Sequence, residues 1–401
     1  MATARTDETG TDATAETPTG PLKRVWMAPK LAFRNLFHDA LSLAVTLTGI
    51  VFSVVLVAVQ CGLYLGSERT IAAVLDQVKA DLWVTPIGTK SFDDPAFLNG
   101  REKFAVLSIP GVTGAEDLVV GFGSWRKPKG GATAIVIVGS NWNQGGLKPW
   151  NIVKGSIEEL NAPATVAVDE TYFTDLGIEG MGDAAEINGN RVTVGAVTHG
   201  IRSFTTLPYV FTTLARAQAF LDAGTDQSSY TLVTAAPGQN LDELRRAIAD
   251  RLPDVEVLGH QEFRKRSLDY WLFSTGAGAA LIAGAILGLI VGVVIVAQTL
   301  YASTKDHLNE FATLRALGAS ASYIHQVILM QAMMSALVGY ILGMILSLIV
   351  VWAAEDSTMT VVMTPGLAAA LFVVTIGMCA IAAMSAIMKV TRIDPAGVFS
   401  R

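Results

Sequence analysis

The chain has 401 residues, 51% of them hydrophobic and 16% charged, with a formal net charge of -6 and a mean hydropathy of +0.45. A soluble domain carries about 25% charged residues, so the balance points to a membrane protein. The acidic total excludes the basic footprint of a nucleic-acid-binding protein. Cys61 and Cys379 lie in apolar runs with no CxxC or histidine spacing, which argues against a disulfide framework or a metal site.

Residues 1–20 are rich in Thr, Ala and acids and hold no large apolar residue after Met1. They cannot bury enough surface to order themselves, so residues 1–26 are expected to be a disordered tail. The first apolar run is too long for a signal-peptide core and has no small-x-small cleavage site after it. Residues 27–66 are expected to form an amphipathic helix leading into the first membrane span.

Four stretches reach the roughly 20 apolar residues that a bilayer requires: about 41–65, 271–300, 327–353 and 365–388. None contains Asp, Glu, Lys or Arg. Short flanking segments decide orientation. Lys23, Arg24, Lys30 and Arg34 precede the first span, Lys305 and Arg315 separate the second from the third, and Lys389, Arg392 and Arg401 follow the fourth. Glu355 and Asp356 lie between the third and fourth. Both termini and the 301–326 loop are therefore predicted to be cytoplasmic. Arg264, Lys265 and Arg266, outside the second span, oppose this reading, but long domains cross largely regardless of charge.

Residues 67–268 form an external domain, long enough for one or two cores. Strand-like runs at 132–138, 165–168, 191–197 and 230–234 alternate with helical stretches at 213–221 and 241–252, which reads as α+β. Asn188-Gly189-Asn190 signals a turn between strands. Residues 67–79 and 260–269 look helical and would continue the first two spans outward as a stalk. Residues 269–401 hold the remaining three spans. The fold class is an α-helical membrane protein with four transmembrane helices and an α+β domain between the first and second.

The chain lacks a GxxxxGK[ST] loop or another nucleotide fingerprint, and no catalytic set is suggested. Asp169-Glu170 is read as a solvated turn, and His38, His199, His260, His307 and His325 as structural or solvated. Gly276, Ala280, Gly284, Gly288 and Gly292 recur every four residues, a small-residue stripe over about 24 Å of helix. Such a stripe lets another backbone come close. Packing within one chain and a homodimer seam both fit it, and the seam is the expectation. Gly339 and Gly343 repeat the spacing in the third span.

Residues 305–319 suggest a short amphipathic helix, with Leu308, Phe311, Leu314 and Leu317 beside Asn309, Glu310 and Arg315. Gly318 offers a stop and Ser320 or Ser322 a cap for the next helix. A helix resting on lipid headgroups and one inserted into a soluble partner fit this pattern equally.

The segment EFATLRALGAS (310–320) resembles the ELATLRALGAS-type segment of the MacB/FtsX-type permeases of ABC systems. IPGVTGAEDLV (109–119) is similar to the opening of their external domain, TVAVDETYFTDLGIEGMGDAAEINGNRVTVGAV (165–197) to its core, and TRIDPAGVFSR (391–401) to their C-terminal tail. LAFRNL (31–36), TLTGIVFSVVLVAVQCGL (46–63) and KADLWV (79–84) look most like the DevC branch. The resemblance implies a non-catalytic, multi-pass permease of the bacterial inner membrane with a periplasmic domain. It also implies a second permease copy and a separate ABC ATPase subunit. That subunit, and not this chain, would bind ATP and Mg. ATPase motion would be transmitted to the periplasmic domain, a mechanism called mechanotransmission, for export of a lipid, lipoprotein or other hydrophobic substrate. The DevC-like branch implies a periplasmic adaptor and an outer-membrane channel. The ATPase-coupling segment maps onto Glu310, Phe311, Leu314, Arg315, Ala316, Leu317 and Gly318.

Two alternatives stand beside this reading, the first on the same architecture and the second from another class. One is an ATP-driven regulator of a periplasmic cell-wall hydrolase. The other is a secondary transporter, which the uncharged spans oppose because ion-coupled carriers keep intramembrane ionisable residues. A membrane-anchored receptor would not need three further spans.

Overall fold

The computed structural model describes residues 40–307, 310, 313, 320–355 and 357–391. The chain order is α1 (Ala40–Gln77), β1 (Leu82–Pro86), α2 (Glu102–Leu107), β2 (Val112–Arg126), β3 (Ala132–Ser140), β4 (Ile152–Gly155), β5 (Thr165–Asp169), α3 (Phe173–Leu176), β6 (Ala184–Ile187) and β7 (Asn190–Thr198). It continues with β8 (Tyr209–Thr213), α4 (Leu214–Phe220), β9 (Tyr230–Ala235), α5 (Leu241–Arg251), β10 (Val255–Gly259), α6 (His260–Asp269), α7 (Ala277–Asp306), α8 (Ala321–Ala353) and α9 (Pro365–Thr391). Among the described residues, four helices are long and apolar enough to cross a membrane: Ala40–Gln77, Ala277–Asp306, Ser322–Ala353 and Pro365–Met388. The expected tail at 1–26 lies outside the described residues.

The external domain is built on one ten-stranded sheet. Its long strand β2 belongs to two halves. Residues 112–118 pair antiparallel with β9, which continues to β1 and β10. Residues 118–126 pair with β3. From there β3 runs parallel to β8, β8 antiparallel to β5, and β5 parallel to β7. β6 pairs with β7 on one side and with the end of β2 on the other, closing a ring. One face of the ring carries Val119, Trp125, Ile135, Ile137, Val166, Val194 and Val210 in a single buried cluster.

Strand alternation divides the other half between two cores. Leu82 and Val84 of β1 face Val106 of α2 with Leu244 and Ile248 of α5. Trp83, between them, faces the opposite way, into a cluster with Val74 and Leu75 of α1 and Phe263 of α6. The end of the first span's helix is thus part of the external domain's core. Arg264 Nε, 2.9 Å from Asp76 Oδ1, adds an ion pair between α6 and α1, and Arg266 Nη1 lies 2.8 Å from Glu256. The basic cluster that opposed the orientation reading has these local partners.

Local sequence signals explain several elements. Asn188 (φ 47°) and Gly189 (φ 87°) form the two-residue turn between β6 and β7, where the right-handed strand twist requires two positive φ angles. Asn240 Oδ1 accepts from the backbone N–H of Asp242 (3.0 Å) and of Glu243 (3.4 Å), capping α5. β2 went unrecognised because VTGAEDLVVGFGSWR breaks the alternation with three charged residues and three glycines.

The stalk above the second span differs from expectation. α6 does not run on into α7: a π-helical turn at Tyr270–Ser274 intervenes, and Gly276 adopts φ +82° before α7 begins. By contrast α1 is one helix of 38 residues, about 57 Å long.

Within the first compact unit (residues 1–54, 289–343 and 372–401), parts of the four spans pack around Ile50, Val54, Val296, Val327, Ala332, Ala336, Met378, Ala382 and Ala383. A Cβ at Gly339 would meet Ile50 at 2.5 Å, and one at Gly343 would meet Val54 at 2.8 Å. Ser53 Oγ donates to Met378 Sδ at 3.4 Å.

Candidate functional site

Of the predicted coupling segment, Glu310 is described. It is helical and exposed, with Oε2 3.2 Å from His307 Nδ1. Phe311, Leu314, Arg315, Ala316, Leu317 and Gly318 lie outside the described residues. The cap expected at Ser320 is present: Tyr323 N donates to Ser320 Oγ at 3.3 Å.

The small-residue stripe divides into two parts. A Cβ at Gly284 would meet Gln60 Nε2 at 2.6 Å, one at Gly288 would meet Leu56 Cδ2 at 2.9 Å, and one at Gly292 would press on Ser53 Oγ and Met378 Sδ. The smallness of these three positions serves packing inside the chain, which corrects the emphasis on a seam there. Gly276 precedes the helix and, its chain neighbours aside, has no atom of the described residues within 4 Å of its would-be Cβ, and Ala280 is exposed.

At the outer ends of the spans, residues of the external domain, α1 and the α8–α9 linker come together. Asp169, at the end of β5, is 1% exposed, so the solvated-turn expectation fails for it. Its carboxylate accepts from Thr171 N (3.1 Å), Thr198 Oγ1 (3.0 Å) and Ile201 N (2.8 Å). Glu170 stays at the surface, 2.6 Å from His199 Nδ1. Tyr172 is buried, its hydroxyl accepting from Ser203 N at 3.2 Å, and burial pushes that phenol up to about 12. These groups shape the loop after β7. From that loop, Arg202 donates to Thr360 Oγ1 (3.4 Å) and to the carbonyl of Glu355, and Phe204 lies 5.3 Å from Trp271.

The linker in turn rests on α1. Val362 N donates to the carbonyl of Gly62 at 3.0 Å. A Cβ at Gly62 would meet Val361 at 2.8 Å, and one at Gly66 would collide with the Thr360 carbonyl. Gly62-Leu-Tyr-Leu-Gly66 is a small-xxx-small pair that could have flagged this close approach. Arg202 carried no local signal.

Elsewhere in the domain, Tyr209 donates to Asp93 at 2.7 Å. Burial pushes the Asp93 carboxyl up to about 6, and the Tyr209 bond lowers it in part. A hollow of about 390 Å³ beside the end of α1 is lined by Lys79, Glu116, Lys148 and Trp150, with Glu116 held by Lys103 at 3.1 Å.

Known proteins place this architecture. Residues 43–251 match the MacB-like periplasmic core domain, and residues 282–395 match the FtsX-like permease C-terminal region. Among curated proteins none matches the chain. Similar solved structures include the periplasmic region of MacB from Actinobacillus actinomycetemcomitans, at 11% identity and TM-score 0.36, covering 49% of this chain and 96% of that one. Another is the extracellular domain of the noncanonic ABC-type transporter YknZ from Gram-positive bacteria, at 13% identity and TM-score 0.34, covering 45% and 99%. With a periplasmic-type domain inserted after the first of four apolar helices and both family regions matched in order, the chain belongs to the MacB/FtsX-type permeases, the membrane-spanning subunits of ABC transporters.

Proposed function

We propose that this permease works by mechanotransmission: a separate ABC ATPase binds ATP and Mg, and its movement is carried through the spans to the periplasmic domain. The observation that carries this reading is α1. It is one uninterrupted helix of 38 residues, and its outer residues Val74 and Leu75 are core residues of the external domain. A displacement of the span is then a displacement of the domain. The uncharged spans support the same reading, since they offer no ionisable residue for ion-coupled transport.

In this reading both termini and the 305–319 segment face the cytoplasm, and Leu314 is the anchor that enters the ATPase. A second copy of the chain completes the permease, approaching where Gly276 and Ala280 are left open. A lipid, lipoprotein or other hydrophobic cargo, handed to a periplasmic adaptor and outer-membrane channel, follows from the DevC-like features.

Leu314→Asp tests the coupling. Removing a central interface anchor costs about 2 kcal/mol or more, roughly thirtyfold in affinity, and a rim charge costs less. Leu314→Asp is expected to abolish ATPase co-purification while the chain still inserts, and Arg315→Ala to weaken it mildly. Unchanged ATPase binding and export in Leu314→Asp would remove the proposed route.

A further inference from the structure

The loop that carries Arg202 is held on both sides. Ile201 N donates to the buried carboxylate of Asp169 at 2.8 Å, and Ser203 N donates to the Tyr172 hydroxyl at 3.2 Å. Arg202 therefore leaves the external domain from a fixed backbone position. Its guanidinium reaches two acceptors on the α8–α9 linker, Thr360 Oγ1 and the Glu355 carbonyl. Its Nε is buried with no partner among the described residues, so it gains nothing from solvent at that edge. A planar fork spans two separate acceptors in a way that a lysine ammonium does not.

The linker needs holding. Residues 358–364 have no regular secondary structure, and Thr360 to Val362 lie along α1 at Gly62 and Gly66 with backbone nearly touching backbone. One backbone hydrogen bond, Val362 N to Gly62 O, secures that seat.

We propose that Arg202 is a clasp: it fastens the linker between the third and fourth spans to the periplasmic domain, so that these spans drive the domain alongside α1. Arg202 is a positioning residue in this scheme, acting through the linker. The transmission role rests on the mechanical reading above. The clasp is a property of the single chain and is tested without any partner.

The first measurement is hydrogen–deuterium exchange of the full chain in lipid nanodiscs. A charge-assisted bond lost from a locally opening segment raises exchange about tenfold. Arg202→Ala is expected to do this at residues 357–362 and to leave β5 and β7 unchanged, with Arg202→Lys in between. Unchanged linker exchange in Arg202→Ala overturns the clasp. Faster exchange throughout β5 and β7 also overturns it, because Arg202 would then be a general stabiliser of the domain.

The second measurement is export by the permease assembled with its ATPase. Arg202→Ala is expected to retain ATPase association and to lose export about tenfold, the same loss of one clasping bond. Full export by Arg202→Ala overturns the transmission role. Loss of ATPase association would also overturn it, since that is the signature expected of Leu314→Asp. If wild-type chain recruits no ATPase at all, the mechanical reading fails, while the exchange result still decides the clasp.

Discussion

In the external domain, the ring of Trp83 sits 5.1 Å from that of Phe263, 5.8 Å from Tyr230 and 6.4 Å from Phe92. In the spans, comparable central positions hold Gly292, Gly339, Gly343, Ala332, Ala336, Ala382 and Ala383. Many of the large apolar side chains there, among them Ile286, Ile290, Ile345 and Ile381, face outward and are about half exposed or more. Water rewards burial of big rings and branched chains in proportion to area. Lipid gives no such reward, so helices there associate through close backbone approach and dispersion contacts. The two regions also treat polar groups differently. The external domain buries Asp93, Asp169 and Tyr172 with named partners, whereas the spans carry no charge to partner.

The comparison is broken most severely by removing a ring. Trp83→Ala is expected to destabilise the external domain by about 3–5 kcal/mol, through lost transfer energy and the cavity left behind. Thermal melts of the full chain in detergent, read by near-UV circular dichroism, should show it. A loss below about 1 kcal/mol would mean that the aromatic cluster does not set the domain's stability.

Asp93 sharpens the contrast in polar burial. Its carboxyl is raised from 3.8 to about 6 in the folded domain. The folded state therefore holds the proton more tightly than the unfolded one. Stability is highest below the unfolded value and falls as pH rises from about 4 to about 6, by up to about 3 kcal/mol. An amide at this position still accepts from the Tyr209 hydroxyl but does not ionise. Asp93→Asn should flatten that slope and be more stable than wild type at neutral pH by about 2–3 kcal/mol. A denaturant midpoint that varies with pH identically in both proteins would refute the assignment.

The smallest expected effect is in the membrane. Gly292→Leu drives a side chain against Ser53 and Met378, an overpacking that costs about 1–3 kcal/mol. Ile290→Leu, on the exposed face of the same helix, should change stability by less than about 0.5 kcal/mol. Steric-trapping measurements in bicelles separate the two. Equal effects would show that the stripe is not a packing surface.

Some of this was legible in contiguous residues. The four spans follow from apolar runs free of charge, the β6–β7 hairpin from Asn188-Gly189, and the start of α8 from Ser320. Expectation faltered where a local pattern has two physical outcomes. A four-residue glycine repeat suits a neighbouring copy or a neighbouring helix of the same chain, and at 284, 288 and 292 it is the latter. An acidic pair after a strand suits solvent or a buried cap, and here Glu170 takes the first and Asp169 the second. The helix expected to continue from 260 through 300 is broken at 270–276. Tyr270 to Ser274 are compatible with either a regular or a widened turn.

By itself, the sequence determined the membrane character, the order of spans and inserted domain, and the family segments, because hydropathy, turn chemistry and caps are properties of neighbouring residues. The tertiary structure alone decided that β6 closes a ring back onto β2, that Asp169 is buried, and that Arg202 reaches a linker more than 150 positions away. Pairings of that kind depend on which surfaces meet once the chain has packed, and no local pattern carries that information.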